Sequence, residues 1–426
     1  MSNDKVLAKN RLVDCPRPHA QESSASASFE SSFVKLLIYS HAFAPQVGGI
    51  ETFTMYLARG LASLQGEDAA PRFEVTVVRQ TPGGQSERLS DNKFDVVRRP
   101  GARELWRLIR DADTVLLAGP AILPLLFALI LRKRTLVSHH GYQSICPNGM
   151  LFHFPSHQSC PGHFAASRYG ECVKCNVGQE KVTGSARLLV LTFVRRALSR
   201  LAHSNVAVSQ HVSNRIALPR TLVIRNGVPA SPAGSEIVNH ASDGTICFAY
   251  VGRLVTEKGV NVLIDAASIL KDRGCRFEVL IIGDGPERQA LEAQAAYLQL
   301  AGHLHFLGFL FGNELQQALS RVSAVIMPSI CEDAAPFSAL EQMMLGRLII
   351  GSKIGGLAEE IGETGLTFAS GDAKALADQM QRVIERSDLI SLLGRQAHHR
   401  ALQSYTLERM IMEYRDLLVA GERTHG

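Results

Sequence analysis

The chain has little tryptophan, little net charge, and no long apolar segment near its amino terminus. A single Trp in 426 residues gives no sign of the stacking platform that binds single-stranded nucleic acids. The net charge of +5 permits an anionic ligand or membrane surface but does not predict nucleic-acid binding. No Gly-x-Gly-x-x-Gly follows the first predicted strand, which argues against a dinucleotide-dependent dehydrogenase.

The amino-terminal region is polar and lacks the apolar core of a secretory signal. We therefore predict a disordered leader over residues 1–32. The segment from Thr114 to Leu131 is nearly all apolar, but Pro120 and Pro124 interrupt it. A strand, a turn and a buried helix explain this segment as well as a membrane span does. We expect a cytoplasmic protein and leave open its peripheral association with the inner face of the membrane.

The length and the strand–helix alternation predict an α/β fold with two doubly wound, Rossmann-like domains facing each other across a cleft. A chain of 426 residues is too long for one ordinary core. Predicted strands alternate with helices over residues 33–227 and again over 246–400, which is typical of parallel sheets. The polar segment 228–245 is predicted to be a linker because of its composition.

An unusual insert interrupts the first predicted domain at residues 146–175. It contains four of the chain's eight cysteines: Cys146, Cys160, Cys172 and Cys175. Thiolates with this clustering are typical ligands of a structural zinc ion, which would fasten a long loop. The alternatives are free cysteines packed as small hydrophobic side chains, a disulfide, or an iron–sulfur cluster.

The stretch Pro328–Glu341 is predicted to carry an acidic loop into a helix. It follows the apolar strand Ala324–Met327, and Pro336 occupies a favourable position at the start of the helix. Glu341 lies one turn beyond Phe337, at the border of the apolar face. A buried carboxylate there would need a partner, because an unpaired buried charge is costly. Taken alone, a solvent-exposed glutamate is the simpler interpretation.

A basic pair follows a different predicted strand. Ile246–Val251 is succeeded by Arg253 and Lys258, at the strand end where α/β sheets bind ligands. A guanidinium and an ammonium before a helix suit a diphosphate. Glu341 and the Gly355-Gly356 turn follow other strands of the same sheet, so we expect these groups to converge on one cleft.

The order of these motifs resembles the retaining glycosyltransferases of family 4, which have the GT-B fold. The motifs are Gly-Arg-Leu-x-x-Glu-Lys-Gly, Ile-Gly-Asp-Gly-Pro, Pro-Ser…Glu and Gly-Gly…Glu. The similarity covers about residues 34–400 and is strongest over 248–370. In the first half, Gly48-Gly49 resembles the family's glycine loop, and His140 falls on the family histidine. Some members carry a comparable cysteine cluster after that histidine.

The resemblance implies a sugar donor activated by a nucleotide diphosphate and bound mainly by the second domain. Arg253 and Lys258 would stabilise charge on the leaving diphosphate, and Glu341 would accept hydrogen bonds from the ribose. It implies no catalytic metal, since the basic pair replaces one. The acceptor, a glycan or a lipid-linked sugar, would bind the first domain. The expected activity is transfer of a hexose in cell-surface polysaccharide synthesis.

Further contacts with the donor are implied in the same way. Backbone N–H groups would reach the sugar or the phosphates, and the glycine loop would close over the diphosphate. The histidine would contact the transferred sugar. The residues concerned are Gly355, Gly356 and Leu357, then Gly48 and Gly49, and finally His140. The carboxyl-terminal segment 401–426 would return to the first domain as a helix.

One acidic position departs from the family pattern. The family's paired acids are usually two Glu residues with seven residues between them, but counting back from Glu341 leads to Asp333. Losing one methylene moves a carboxylate by about 1 Å, enough to weaken a positioned contact. Either Asp333 reaches the donor, or the loop presents Glu332. A non-catalytic scaffold of the same fold is therefore one alternative. A nucleotide-sugar epimerase of the same fold is a second, which would activate water rather than recruit an acceptor.

Overall fold

The computed structural model describes residues 33–43, 48–64, 72–80, 87–88, 93–231 and 244–420. The predicted leader and most of the predicted linker lie outside the described residues. The strands are β1 Phe33–Ser40, β2 Arg72–Arg79, β3 Glu87–Arg88, β4 Asp95–Arg98, β5 Thr114–Ala118, β6 Arg134–His139, β7 Phe152–His153, β8 Gln158–Ser159, β9 Ser204–Ala207, β10 Thr221–Val223, β11 Ile246–Val251, β12 Phe277–Ile282, β13 Leu304–Gly308, β14 Ala324–Met327, β15 Leu348–Ser352 and β16 Leu366–Phe368. The helices are α1 Gly49–Ser63, α2 Ala102–Asp111, α3 Ile122–Ile130, α4 Tyr169–Val177, α5 Val182–Leu201, α6 Gln210–Ile216, α7 Val260–Asp272, α8 Arg288–Tyr297, α9 Gly312–Leu319, α10 Phe337–Met344, α11 Gly355–Ile361, α12 Ala373–Glu385, α13 Asp388–Ser404 and α14 Leu407–Val419.

Two sheets organise the molecule, one in each half of the chain. The first has the strand order β10-β9-β6-β5-β1-β2-β4-β3, and the second has the order β13-β12-β11-β14-β15-β16. Neighbouring strands are parallel throughout, except that β3 is antiparallel to β4. The carboxyl ends of each sheet therefore share one edge, where α/β folds bind ligands. The predicted α/β class with two doubly wound halves is confirmed.

The central strands are apolar because helices cover both faces of each sheet. All five residues of β5 and all four of β14 are buried, which is the continuous apolar pattern of parallel strands. In the first sheet, α2 and α3 pack on one face while α1 packs on the other. The apolar segment Thr114–Leu131 forms β5 and α3, as one of the two interpretations predicted. None of the helices in the described ranges is long and apolar enough to cross a membrane.

The chain passes between the two halves twice, and the passages are paired with each other. Val228 accepts an N–H bond of 2.8 Å from Leu407 and donates one of 2.9 Å to the carbonyl of Tyr405. Gly227 is required at this approach, because a Cβ atom there would lie 2.3 Å from the Thr406 carbonyl oxygen. The last helix, α14, then packs on α1 of the first half. This double passage fixes how the two sheets face each other.

Tyr414 anchors α14 on the first half. The ring is fully buried against Phe53 of α1, with 5.6 Å between ring centroids. The hydroxyl lies 3.0 Å from the Ser138 hydroxyl at the end of β6. One apolar cluster contains Tyr414, Leu57 of α1 and Met344 of α10, so this helix joins the cores of both halves.

We expect Tyr414→Ala to destabilise the fold by about 3–5 kcal/mol, because it removes a buried ring and leaves a cavity. Met412→Ala is the matched control, since Met412 is on the same helix with 37% of its surface exposed. Urea unfolding followed by circular dichroism measures both. Equal losses in the two variants would show that α14 does not depend on this anchor.

Candidate active site

A lysine–aspartate pair occupies the carboxyl edge of the second sheet. Lys258 follows β11, and Asp333 follows the neighbouring strand β14, so the loops beyond both strands meet. The Lys258 Nζ atom donates to Asp333 Oδ1 at 2.6 Å. Ser329 donates its hydroxyl to the other oxygen, Oδ2, at 2.5 Å. Both side chains of the pair are mostly buried, which makes this a held charge pair rather than a surface ion pair.

The surroundings of Lys258 keep its ammonium protonated. Burial is the largest single influence and lowers the pKa of Lys258, but Asp333, Cys331 and Tyr250 together raise it by more, so the net shift is upward. The ammonium therefore stays charged at physiological pH. Arg253, on the same loop, has an exposed side chain, and its carbonyl accepts a 2.7 Å hydrogen bond from the Tyr250 hydroxyl. The loop thus carries two cations at the strand end, one fixed and one free to turn toward a ligand.

Glu341 lies on α10, in the cleft between the two sheets. Solvent reaches its side chain, yet the surrounding protein removes enough water to raise the pKa of the carboxyl to about 7. Tyr56 of α1 stands on the opposite wall: its pKa is raised by burial and then by the charge of Glu341. The Tyr56 ring also contacts Phe337, with centroids 6.2 Å apart. Glu341 is therefore an unusual carboxyl that faces both halves of the molecule.

The glycine pair Gly48-Gly49 forms the start of α1 and faces the same helix. A Cβ atom on Gly49 would lie 3.8 Å from the Phe337 ring. A Cβ atom on Gly48 would meet the Glu51 carboxylate at 2.5 Å, so that side chain would have to move aside. The Gly48 carbonyl accepts the Thr52 N–H at 2.9 Å. The structure thus brings the predicted glycine loop to the wall of the cleft opposite α10.

The second glycine pair supports the acidic loop. A Cβ atom on Gly356 would lie within 2 Å of the Ala334 carbonyl oxygen, and one on Gly355 would meet the Asp333 backbone at 2.6 Å. The Gly356 N–H donates to the Asp333 carbonyl at 2.6 Å. The Gly356 N–H is therefore directed at the acidic loop in this conformation, and the expectation that it binds a phosphate or sugar stays a prediction. Leu357 is fully buried at the first turn of α11.

His140 lies at the end of β6 and is held from two sides. Its Nε2 atom is 2.9 Å from the Ser138 hydroxyl, and its ring centroid is 4.1 Å from that of Phe53. Burial lowers the pKa of His140 to about 3, with a further contribution from His139. Its neighbour His139 is fully buried and bonds Asn205 at 2.9 Å, so it faces away from the cleft. His140 is consequently a neutral imidazole at physiological pH.

Glu332 points away from Lys258 and joins the two halves of the molecule. It accepts a 2.7 Å bond from His211 Nε2 and pairs with the Arg215 guanidinium at 2.9 Å. The Ser159 hydroxyl adds a bond of 3.1 Å. Burial raises the pKa of Glu332, but these partners lower it more, so the net shift is downward. Both Glu332 oxygens thus accept bonds from the first half of the molecule, and the expectation that Glu332 contacts the donor stays a prediction.

Other contacts between the halves surround this glutamate. Ser209 donates its hydroxyl to the Ala334 carbonyl at 2.7 Å. Glu359 accepts the His211 N–H at 2.9 Å and pairs with Arg225 at 3.1 Å. Sequence reasoning missed His211, Arg215 and Ser159, and no local pattern marks them. Their partner is more than a hundred residues away, so only folding brings them together.

The four cysteines of the insert gather in one buried cluster without forming a metal site. Within the ranges that the structure describes, no group of three His, Cys, Asp or Glu side chains is placed to hold a metal ion. The thiols turn to the protein instead: Cys146 donates to Asn148 at 3.0 Å and Cys175 to the Phe152 carbonyl at 3.4 Å. Burial raises the pKa of Cys146 to about 11 and that of Cys172 to about 12. Protonated thiols packed as small hydrophobic groups, the alternative interpretation, fit these contacts, and structural zinc is not supported.

Two doubly wound α/β halves that face each other across a cleft are the architecture of the GT-B fold. A solved structure, Anabaena Alr3699/HepE in complex with UDP, superposes with a TM-score of 0.67 over 91% of this chain and 100% of that chain, at 18% identity. A similarity at this identity shows the shared fold.

Residues 245–386, about a third of the chain, match the family model described as Glycosyl transferases group 1. The 2-deoxystreptamine glucosyltransferase of Streptomyces kanamyceticus is 32% identical over 34% of this chain and 37% of its own length. The glycogen synthase of Mycobacterium tuberculosis is 30% identical over 48% of this chain and 50% of its own length. The matches thus span half or less of these curated relatives, with the family match in the second half of the chain.

The opposite pKa shifts of two glutamates should give opposite effects on stability. Because the folded-state pKa of Glu341 is raised, its ionisation destabilises the fold. This destabilisation is absent below the unfolded value of 4.5 and complete above about 7. Glu341→Gln should therefore raise the melting temperature above pH 7 and leave it unchanged near pH 4. The lowered pKa of Glu332 means that its ionised form stabilises the fold above pH 4.5. This stabilisation is lost as the pH falls through the folded-state pKa.

Glu332→Gln should accordingly lower stability at pH 7 by about 1–3 kcal/mol, because charge-assisted bonds to His211 and Arg215 are weakened. Thermal melts of both variants between about pH 4 and pH 8 measure the two effects. Shifts of the same sign at pH 8 would contradict the assignment of Glu341 to a desolvated cleft.

Proposed function

We propose that this protein is a retaining glycosyltransferase, of the family 4 type, that moves a hexose from a nucleotide-diphosphate sugar to a glycan or lipid-linked acceptor. The observation that carries the proposal is the 2.6 Å Lys258–Asp333 pair at the cleft edge of the second sheet. Arg253 is on the same loop as Lys258, and Glu341 lies on the helix that follows Asp333. These groups supply the charges that a nucleotide diphosphate needs.

The leaving diphosphate would be neutralised by the two cations. Lys258 is held in place before the donor arrives, so little reorganisation is needed when negative charge develops. Arg253 has the exposed, fork-shaped side chain that binds phosphate oxygens in pairs. A fixed ammonium and an adaptable guanidinium would together replace the metal ion that other glycosyl transfers use. The UDP in the crystal of the structural neighbour supports this type of ligand.

Glu341 would accept hydrogen bonds from the ribose hydroxyls. Its position in the cleft, with Tyr56 opposite, places a carboxyl between the two halves of the molecule. Because its pKa of about 7 lies close to physiological pH, donor binding would favour the ionised form and release a proton. Gly355 and Leu357 would offer N–H groups at the start of α11, and Gly48 and Gly49 would approach the diphosphate from α1.

His140 would contact the transferred sugar as a neutral hydrogen-bonding group. Because its pKa is about 3, His140 is not in the imidazolium form at neutral pH, so we do not assign it a role as general acid. Asp333 would orient Lys258 and contact the donor, although its side chain is one methylene shorter than that of the usual glutamate. In the acidic loop, Asp333 is the acid that faces the basic pair, which favours it over Glu332 for this role. Synthesis of a cell-surface polysaccharide is the process we propose for the product.

We expect nucleoside diphosphates and their sugars to stabilise the protein in a thermal-shift panel, with about 2.7 kcal/mol gained at a hundredfold excess over Kd. Arg253→Ala and Lys258→Ala should each reduce the shift, because a phosphate partner is lost. Lys374→Ala is the matched control, as Lys374 is an exposed cation elsewhere in the same half of the molecule. A panel in which no diphosphate stabilises the parent protein would contradict the donor class.

Turnover distinguishes transfer from the two alternatives. With donor and an acceptor library, we expect a glycoside product whose anomeric configuration, read by NMR, equals that of the donor. Lys258→Met and Asp333→Asn should each lower kcat by about 10²–10³, as removal of a transition-state charge partner does. Binding without turnover would support a scaffold, and an epimerised sugar without an acceptor would support an epimerase.

A further inference from the structure

Helix α5 has its apolar and polar faces reversed relative to an ordinary surface helix. Its fully buried residues are Ser185, Thr192 and Ser199, which are small, polar and spaced by seven residues on one face. Large apolar side chains are exposed instead: Val182, Val190, Phe193, Val194 and Leu201 are 36–65% exposed, and of these the Phe193 ring packs on one side against Phe164 and Tyr169. A helix on a soluble domain normally buries its apolar stripe. The outer face of α5 is therefore shaped for a surface other than water.

The neighbouring helix α3 extends this face. Leu123, Leu126 and Ile130 of α3 are 39–57% exposed and lie at spacings of three and four residues, which makes a single stripe. The two helices pack against each other and cover the same side of the first sheet. Eight of the eighteen large apolar side chains exposed in the described ranges lie on α3 and α5. Contiguous exposure on this scale marks an interaction surface.

The charge around this surface is mainly positive. Residues 122–134 and 181–203, which contain both helices, include eight Lys and Arg residues and no Asp or Glu. Exposed cations border the apolar stripes, and they are Arg132, Lys181, Arg187 and Arg200. One carboxylate, that of Glu180, lies just before the first turn of α5, where a Cβ atom on Gly184 would meet it at 2.8 Å. An apolar face with a mainly basic border is complementary to anionic lipid head groups over acyl chains.

We propose that the α3–α5 face docks on the surface of an anionic phospholipid bilayer, with the apolar stripes at the level of the acyl boundary and the cations among the phosphates. A second copy of this chain fits less well, because twofold pairing would bring two mainly basic borders together. Docking leaves the cleft accessible, since α3 and α5 lie on the opposite side of the first sheet from α1. The inference does not depend on the proposed transfer reaction, and it would bring a lipid-linked acceptor within reach.

The test is flotation of the full chain with vesicles of phosphatidylcholine, with and without phosphatidylglycerol, at low and at high salt. We expect binding to the anionic vesicles that weakens as salt is raised. Arg187→Ala with Arg200→Ala should lower the partition coefficient by about fivefold for each charge removed. Val190→Asp with Val194→Asp should abolish binding, because it places carboxylates on the stripe.

Tyr297→Asp is the control, since Tyr297 is 86% exposed on α8 in the other half of the molecule. It should bind vesicles as the parent does, and circular dichroism melts check that every variant is folded. Light scattering of the same proteins reports the oligomeric state. The proposal would be overturned if the chain did not bind vesicles, or if it bound neutral and anionic vesicles equally. It would also be overturned if the chain formed a dimer that Val190→Asp with Val194→Asp dissociates and showed no vesicle binding. Because donor stabilisation is measured separately, failure here leaves the assignment of the cleft unaffected.

Discussion

Two adjacent carboxylates, Glu332 and Asp333, bind in opposite directions, and the geometry of the cleft depends on that division. Asp333 turns to Lys258 within the second half of the molecule. Glu332 turns to His211 and Arg215 in the first half. A buried carboxylate requires charged or hydrogen-bonding partners, so each residue fixes the backbone of the loop to a different body. The loop is therefore held from both sides.

The glycines around the loop complete this arrangement. Gly355 and Gly356 allow the turn before α11 to touch the Asp333–Ala334 backbone, where a side chain would collide. At the other contact between the halves, Gly227 lets the chain run beside Thr406. Close backbone approach places the acidic loop, the α11 turn and α6 in one packed unit.

Protonation within the cleft follows from how water is excluded. Burial beside Phe53 lowers the pKa of His140 and keeps it neutral, while the protein on either side of Glu341 raises the pKa of its carboxyl to about 7. Lys258 stays charged because its partner is 2.6 Å away. A neutral imidazole, a poised carboxyl and a fixed cation are different responses to the same low-water environment. They suit recognition of a polar, anionic ligand with hydroxyl groups.

The sequence by itself determined the parts that depend on local pattern: two parallel α/β halves, the strand ends that bear Arg253 and Lys258, and the helix that carries Glu341. Hydrophobic periodicity and turn residues report secondary structure and order along the chain, and ligand sites follow strand ends. Only the tertiary structure decided which acid faces the basic pair, that the Gly356 N–H is already used, and that the cysteines pack as buried thiols. Those outcomes depend on partners distant in the chain, such as His211, which lies 121 residues from Glu332. No local pattern records such a contact, because it exists only after the two halves have folded against each other.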